Sequence, residues 1–207
     1  LLPQGELANS PTEPLMIPKG VFGGFSEQML IGEMNSPTLV RFLPDPVGEV
    51  SQGAAIPFLR TGALGAGNHR MSFTPDGSLW VAKTHLSWAG GEGLVRVRLK
   101  DEAADFIAID RVELRSRGFS LGFTQPVDPE SLKKVEITRH TYKYHAGYGS
   151  PKVDKQNVDI ETASLSAEGR SCVINFKNTG DLKSGYLYTL RLPEVRSNSG
   201  KILLGDT

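Results

Sequence analysis

The stretch Asn68-His-Arg-Met-Ser-Phe-Thr-Pro-Asp-Gly-Ser-Leu-Trp-Val-Ala-Lys83 decides the reading of the fold. Two short apolar runs, Met71 to Phe73 and Leu79 to Ala82, are joined by Thr74-Pro-Asp-Gly-Ser78. Proline presets φ for the first corner of a tight turn, and glycine accepts the positive φ that such a turn needs. Alternating runs on either side of a Pro-Asp-Gly corner predict a β-hairpin.

The pattern continues outward from the hairpin. Upstream, Gln28 to Glu33 is a short apolar run bounded by turn residues, Thr38 to Leu43 alternates, and Ala54 to Leu59 carries Pro57, the mark of an edge strand or a bulge. Downstream, Leu94-Val-Arg-Val-Arg-Leu99 alternates cleanly. Residues 1–16 read as an irregular entry punctuated by Gly5, Pro11 and Pro14, and the opening Leu1-Leu-Pro, without methionine, reads as a piece of a longer polypeptide. The polar run Lys100 to Asp105 marks a boundary, giving domains of 1–102 and 103–207.

Beyond it, strands are expected from Phe106 to Leu114, Phe119 to Phe123, Val135 to His145, Asn157 to Ser166, Cys172 to Phe176, Tyr186 to Leu192 and Ile202 to Leu204. Thr124 to Ser131 is a loop that starts one helical turn, and Lys133-Lys134 and Lys152 to Lys155 read as solvated loops. Short strands with turns at this spacing predict an immunoglobulin-like sandwich.

Composition agrees with an all-β chain. The 207 residues hold 23 glycines and 13 prolines, too many for long helices. Net charge is zero, so no basic face is available to neutralise phosphates, and no nucleic-acid partner is expected. No apolar run approaches the roughly 20 residues of a membrane-spanning helix. Cys172 is the one cysteine, which excludes an intrachain disulfide and a Cys-rich zinc site, and its apolar neighbours make it a buried core residue.

Three phrases carry a family resemblance. Phe119-Ser-Leu-Gly-Phe-Thr-Gln-Pro-Val-Asp128 resembles the opening of bacterial Ig-like modules appended to secreted proteins. Gln28 to Glu33, followed by Gln52-Gly-Ala-Ala-Ile-Pro-Phe58 and the Pro-Asp-Gly hairpin, is similar to blades of sugar-dehydrogenase-like β-propellers. Tyr142-Lys-Tyr-His-Ala-Gly-Tyr-Gly-Ser-Pro151 completes the order found in the C-terminal part of large secreted bacterial proteins of that kind. The resemblance implies partial β-propeller-like blades followed by an immunoglobulin-like β-sandwich. A blade takes roughly 40–50 residues and a ring needs about four or more, so the first half holds one to two blades of an incomplete ring. It also implies a secreted or periplasmic location, with upstream blades or other subunits as partners and carbohydrate as a possible ligand.

Two functions follow. The first is a non-catalytic structural and interaction portion of a carbohydrate-related propeller protein. The alternative is a fragment of a quinone (PQQ)-dependent sugar oxidoreductase with its active site mainly upstream, and PQQ and calcium belong to this chain only under that alternative. In the family phrase "His-x-Gly-Gly-Arg-Leu-x-Phe-x-Pro-Asp-Gly" a histidine is the base. Aligned on Arg70, Ala66 stands at the place of that histidine and His69 lies three positions away. An odd shift along a strand turns a side chain to the opposite face. The alternative therefore loses its base at this place unless a different blade supplies it; His69 and Arg70 remain its catalytic candidates, and a structural hydrogen-bonding role is the leading expectation for His69.

The binding candidates are aromatic. Trp88 sits in a Gly-rich loop, where it would stack on a sugar ring or plug a blade interface. Tyr142, Tyr144, His145 and Tyr148 form a cluster expected at an interdomain seam, with Tyr142 and Tyr144 on one strand face; exposed, it would make the Ig-like part a carbohydrate-binding module. Asp76 is expected to accept backbone hydrogen bonds only, and no metal ligand set is predicted.

Overall fold

The computed structural model describes residues 2, 5–99, 106–147 and 149–205, and the chain divides into two compact units, Leu1–Asp105 and Phe106–Thr207. The expected boundary after residue 102 falls outside the described residues. The structure is all-β, with fifteen strands and three short 3-10 turns among the described residues. No helix among the described residues is long and apolar enough to cross a membrane.

In the first unit, β1 (Pro11–Met16), β2 (Met29–Glu33), β3 (Thr38–Pro44) and β4 (Gly53–Arg60) form an antiparallel meander in chain order. A second meander holds β5 (Asn68–Phe73), β6 (Leu79–Lys83) and β7 (Leu94–Val97). The β5–β6 hairpin turns as its sequence predicts. Thr74 N–H donates to Ser78 O at 2.9 Å, Gly77 N–H donates to Thr74 O at 2.9 Å, and Gly77 takes φ 76°.

The register of β5 on β6 shifts between Asn68 and Arg70. Such a bulge re-aims side chains by one position. That is why Asn68 and Met71, three apart, are both buried, which strict alternation forbids.

Leu30, Leu39, Val40, Leu79 and Val81 form the unit's core with no measurable exposure. Each such side chain contributes about 1.5–3 kcal/mol relative to an exposed one. Rings join the two meanders: Phe22 meets Phe73 of β5 edge-on at 5.4 Å and lies 5.9 Å from Phe58 of β4.

The second unit has two sheets. One is ordered β12 (Ile160–Leu165), β13 (Ser171–Phe176), β9 (Gly118–Phe123), β8 (Ile107–Arg115), β15 (Leu203–Leu204), with the last pair parallel. The other is ordered β11 (Lys152–Asn157), β10 (Glu136–Tyr142), β14 (Leu187–Arg191). Phe119 of β9 and Phe176 of β13 both pack on Tyr188 of β14, at 5.3 and 6.0 Å between ring centroids, so these rings hold the two sheets together. The helical turn expected after Thr124 runs Pro129–Lys134, capped by Asp128, whose carboxylate accepts from Glu130 N–H at 3.0 Å.

Three expectations are corrected. Residues 11–16 are a strand, because β1 lies at a sheet edge where prolines need donate nothing to the ladder. Residues 152–157 are strand β11, whose charges sit on an exposed edge. Strand β10 ends at Tyr142, so Tyr144 lies in the following loop and shares no strand face with it.

Candidate functional site

The candidate residues from the sequence are dispersed. His69 is half-buried at the β5 bulge. Arg70 is exposed, with its guanidinium 3.7 Å from the Glu13 carboxylate. An exposed pair of this kind adds little stability and leaves both groups in water.

Trp88 is 62% exposed at the tip of the loop between β6 and β7, beside Leu86 at 42%. The tip is closed by reciprocal backbone hydrogen bonds between Leu86 and Ala89, one of 2.7 and one of 3.3 Å, and by the His85–Gly90 bridge. Tyr142 packs edge-on against the buried His140 at 5.2 Å. Tyr144 is 90% exposed, and exposed His145 accepts Gly147 N–H on Nδ1 at 3.1 Å. Tyr148 lies outside the described residues.

The densest polar chemistry lies elsewhere. Glu33, fully buried at the end of β2, accepts four backbone N–H groups. Oε1 takes those of Asn9 (3.1 Å) and Ser10 (2.7 Å), and Oε2 takes those of Asn35 (2.9 Å) and Ser36. The two gripping segments have the same sequence: Asn9-Ser-Pro-Thr12 leads into β1 and Asn35-Ser-Pro-Thr38 into β3. The strands that flank β2 on either side thus enter through copies of one motif, each saturating one oxygen. This repeat is legible in the sequence, and it is the signal that finds Glu33.

Beside it, buried Asn68 donates its amide to the carbonyls of Glu33 (3.2 Å), Ser36 (3.3 Å) and Gly65 (3.0 Å). Its Oδ1 accepts from Lys83 Nζ at 3.2 Å, and the same ammonium donates to Ala66 O at 2.8 Å and to Leu64 O. Burial pushes the Lys83 ammonium below its ordinary pKa. Arg41, 1% exposed, donates to Gln28 Oε1 at 2.7 Å and lies 4.4 Å over the Phe25 ring.

Asp76 exceeds its expected role. Besides Ser78 N–H at 3.1 Å, its carboxylate accepts the hydroxyls of Thr74 (2.6 Å) and Ser78 (3.1 Å) and pairs with Arg96. The Thr74 hydroxyl, followed by the Ser78 N–H, holds its carboxyl far below the usual range.

In the second unit, the Arg139 side chain is 2% exposed and meets Asp154 (3.1 Å), Gln156 (2.5 Å) and Asp181 (3.5 Å). Its guanidinium stacks 5.0 Å from the Tyr186 ring, whose hydroxyl donates to Asp154 at 2.6 Å. That Tyr186 bond, then the one from Arg139, lowers the Asp154 carboxyl, and the Asp154 bond raises the Tyr186 phenol. Residues from β10, β11 and the approach to β14 are thereby tied at one end of the sheet. Burial alone pushes the Cys172 thiol up to about 11.

What these groups share is engagement: each charge meets main chain or a partner within its own unit, while the buried Arg139 Nε is left over. Among the described residues no three His, Cys, Asp or Glu side chains are grouped to hold a metal ion. Open grooves among the described residues include one of about 360 Å³ between residues 135–138 and 157–160 and one of about 320 Å³ beside Gly5–Asn9 and Arg60. No family model, curated protein or solved structure matches this chain.

Proposed function

We propose that this chain is a non-catalytic structural and interaction portion of a secreted or periplasmic, carbohydrate-related β-propeller protein, acting with upstream blades or other subunits. Two meanders in chain order support the blade reading, since a blade is a small antiparallel meander. The order β8-β9-β13-β12 supports the Ig-like reading, as it follows the A-B-E-D order of such sandwiches, with β10 and β14 in the places of C and F. β15 departs from that pattern by pairing with β8 instead of β14.

The observation that carries the functional reading is the contrast between spent charges and displayed rings. Glu33, Arg41 and Arg139 are buried and engaged, whereas Trp88 and Tyr144 stand exposed on loops. Flat rings offer contact area at little entropic cost, and they stack on sugars.

Affinity electrophoresis in gels containing dextran, laminarin or xylan tests the carbohydrate part. Retardation of the native chain that is lost in Trp88→Ala or Tyr144→Ala supports it. Equal mobility in every gel removes carbohydrate from the proposal and leaves protein partners as the contact.

A further inference from the structure

Each of the four sheets has two edge strands, and an unpaired strand edge is a template for joining another chain unless something blunts it. β1 and β4 contain proline, at Pro11, Pro14 and Pro57. β5 is covered where Thr12 Oγ1 donates to Asn68 O at 2.8 Å. β7 is four residues long with Arg96 in it, β11 is charged, β14 is half-buried from Leu187 to Leu190, and β15 has two residues.

β12 carries the least of this protection: its one charge, Glu161, pairs with Arg117 at 2.6 Å, and its register on β13 shifts only at its start, between Ile160 and Thr162. It runs six residues with no proline, lysine or arginine, and its centre, Glu161 to Ser164, is exposed at four consecutive positions.

The hydrogen-bond phase of this edge follows from its hairpin. Ser166 N–H donates to Ser171 O at 2.8 Å, and the same register continues as Ser164↔Val173 and Thr162↔Asn175. Alternate residues of an antiparallel strand aim their backbone groups at the same neighbour. Thr162 and Ser164 are therefore turned towards β13, and Ala163 and Leu165 present their N–H and C=O groups outward.

We propose that β12 pairs with β12 of a second copy of this chain, antiparallel about a two-fold axis through Ala163. In that register outward groups meet outward groups, and Ala163 exchanges both hydrogen bonds with its symmetry mate. Thr162 faces Ser164, a hydroxyl pair, and Glu161 faces Leu165, so no like charges oppose each other. The neighbouring registers are worse. An axis through Thr162 or Ser164 leaves Leu165 or Glu161 opposite a residue outside the strand, one through Glu161 sets two carboxylates face to face, and one through Leu165 runs into the Ala167-Glu-Gly169 turn. The interface is isologous and joins the two five-stranded sheets into one.

Sedimentation equilibrium of the 207-residue chain tests the pairing. The wild type is expected to shift with concentration from the 22.5 kDa monomer to twice that mass. Ala163→Pro removes the outward N–H and none of the bonds to β13. Ala163→Lys keeps the N–H and sets two ammonium groups across the axis. Each variant is expected to raise the dimer dissociation constant by at least about tenfold, with an unchanged far-UV spectrum verifying the fold. A chain that stays monomeric up to millimolar concentration overturns the proposal, as does a dimer whose dissociation constant neither variant changes.

Discussion

Replacing Glu33 by glutamine changes one oxygen for an amide and keeps the shape of the side chain. The four N–H groups around the carboxylate arrive in two pairs, one per oxygen. An amide oxygen can serve one pair. Its NH₂ group must then face the other pair, donor against donor, in a position with no solvent access. Hydrogen bonds to a buried charged group contribute about 1.5–3 kcal/mol each, so losing two and stranding their donors costs about 3–5 kcal/mol. With a urea m-value of about 1.5 kcal/mol/M, the midpoint falls by about 2–3 M. Both tryptophans, Trp80 and Trp88, lie in the first unit, so tryptophan fluorescence in a urea titration reads that unit. A midpoint within about 0.3 M of wild type would mean that the two Asn-Ser-Pro-Thr segments hold their places without the carboxylate, and the account given of it would be wrong.

Three further outcomes are expected. Gly32→Ala places a Cβ 2.2 Å from Asn68 O and 2.4 Å from Thr12 Oγ1, so backbone must move; the same fluorescence titration should show a loss of about 2 kcal/mol or more, and a neutral result would refute the close approach of β2 and β5. Asp76 has a lowered folded pKa, so its contribution is complete above the unfolded value of about 4 and lost as pH falls through the folded one. Asp76→Asn should therefore flatten the acid limb of the stability profile, and parallel limbs would count against it. Cys172, buried and raised to about 11, should resist a thiol reagent at pH 8 until guanidinium unfolds the chain. Because the unfolded thiol ionises first, its contribution to stability should decline from about pH 9 towards 11; rapid labelling of the native chain would contradict this burial.

The sequence announced its strands where alternation and turn chemistry coincide. The Pro-Asp-Gly hairpin and the buried run ending at Glu33 are local features, and local rules found them. β1 was hidden because Pro11 and Pro14 read as punctuation, although an edge strand tolerates both. β11 was hidden because Lys152 and Lys155 read as solvated loop, which is also how a charged edge strand looks. The aromatic candidates were legible as types but not as places: alternation carried Tyr144 two residues beyond the end of β10. Glu33 and Arg139 escaped because burial of a charge depends on partners far along the chain. Arg139 meets Asp154 and Asp181, and nothing in the periodicity of β10 announces either. The Asn-Ser-Pro-Thr repeat is the exception, a written signal for a long-range contact.

That repeat also governs how the chain bears load. β1 holds two prolines in six residues, so its ladder to β2 is short of donors and would peel readily from its first residue. Residues 9 and 10, just ahead of that strand, are fastened to the same carboxylate as residues 35 and 36. Tension applied upstream therefore reaches the Glu33 clasp before it reaches β1, and the strand comes away only once the clasp has opened. Pulled from that side, the first unit should yield in one abrupt step, like a snapped latch, instead of unzipping residue by residue.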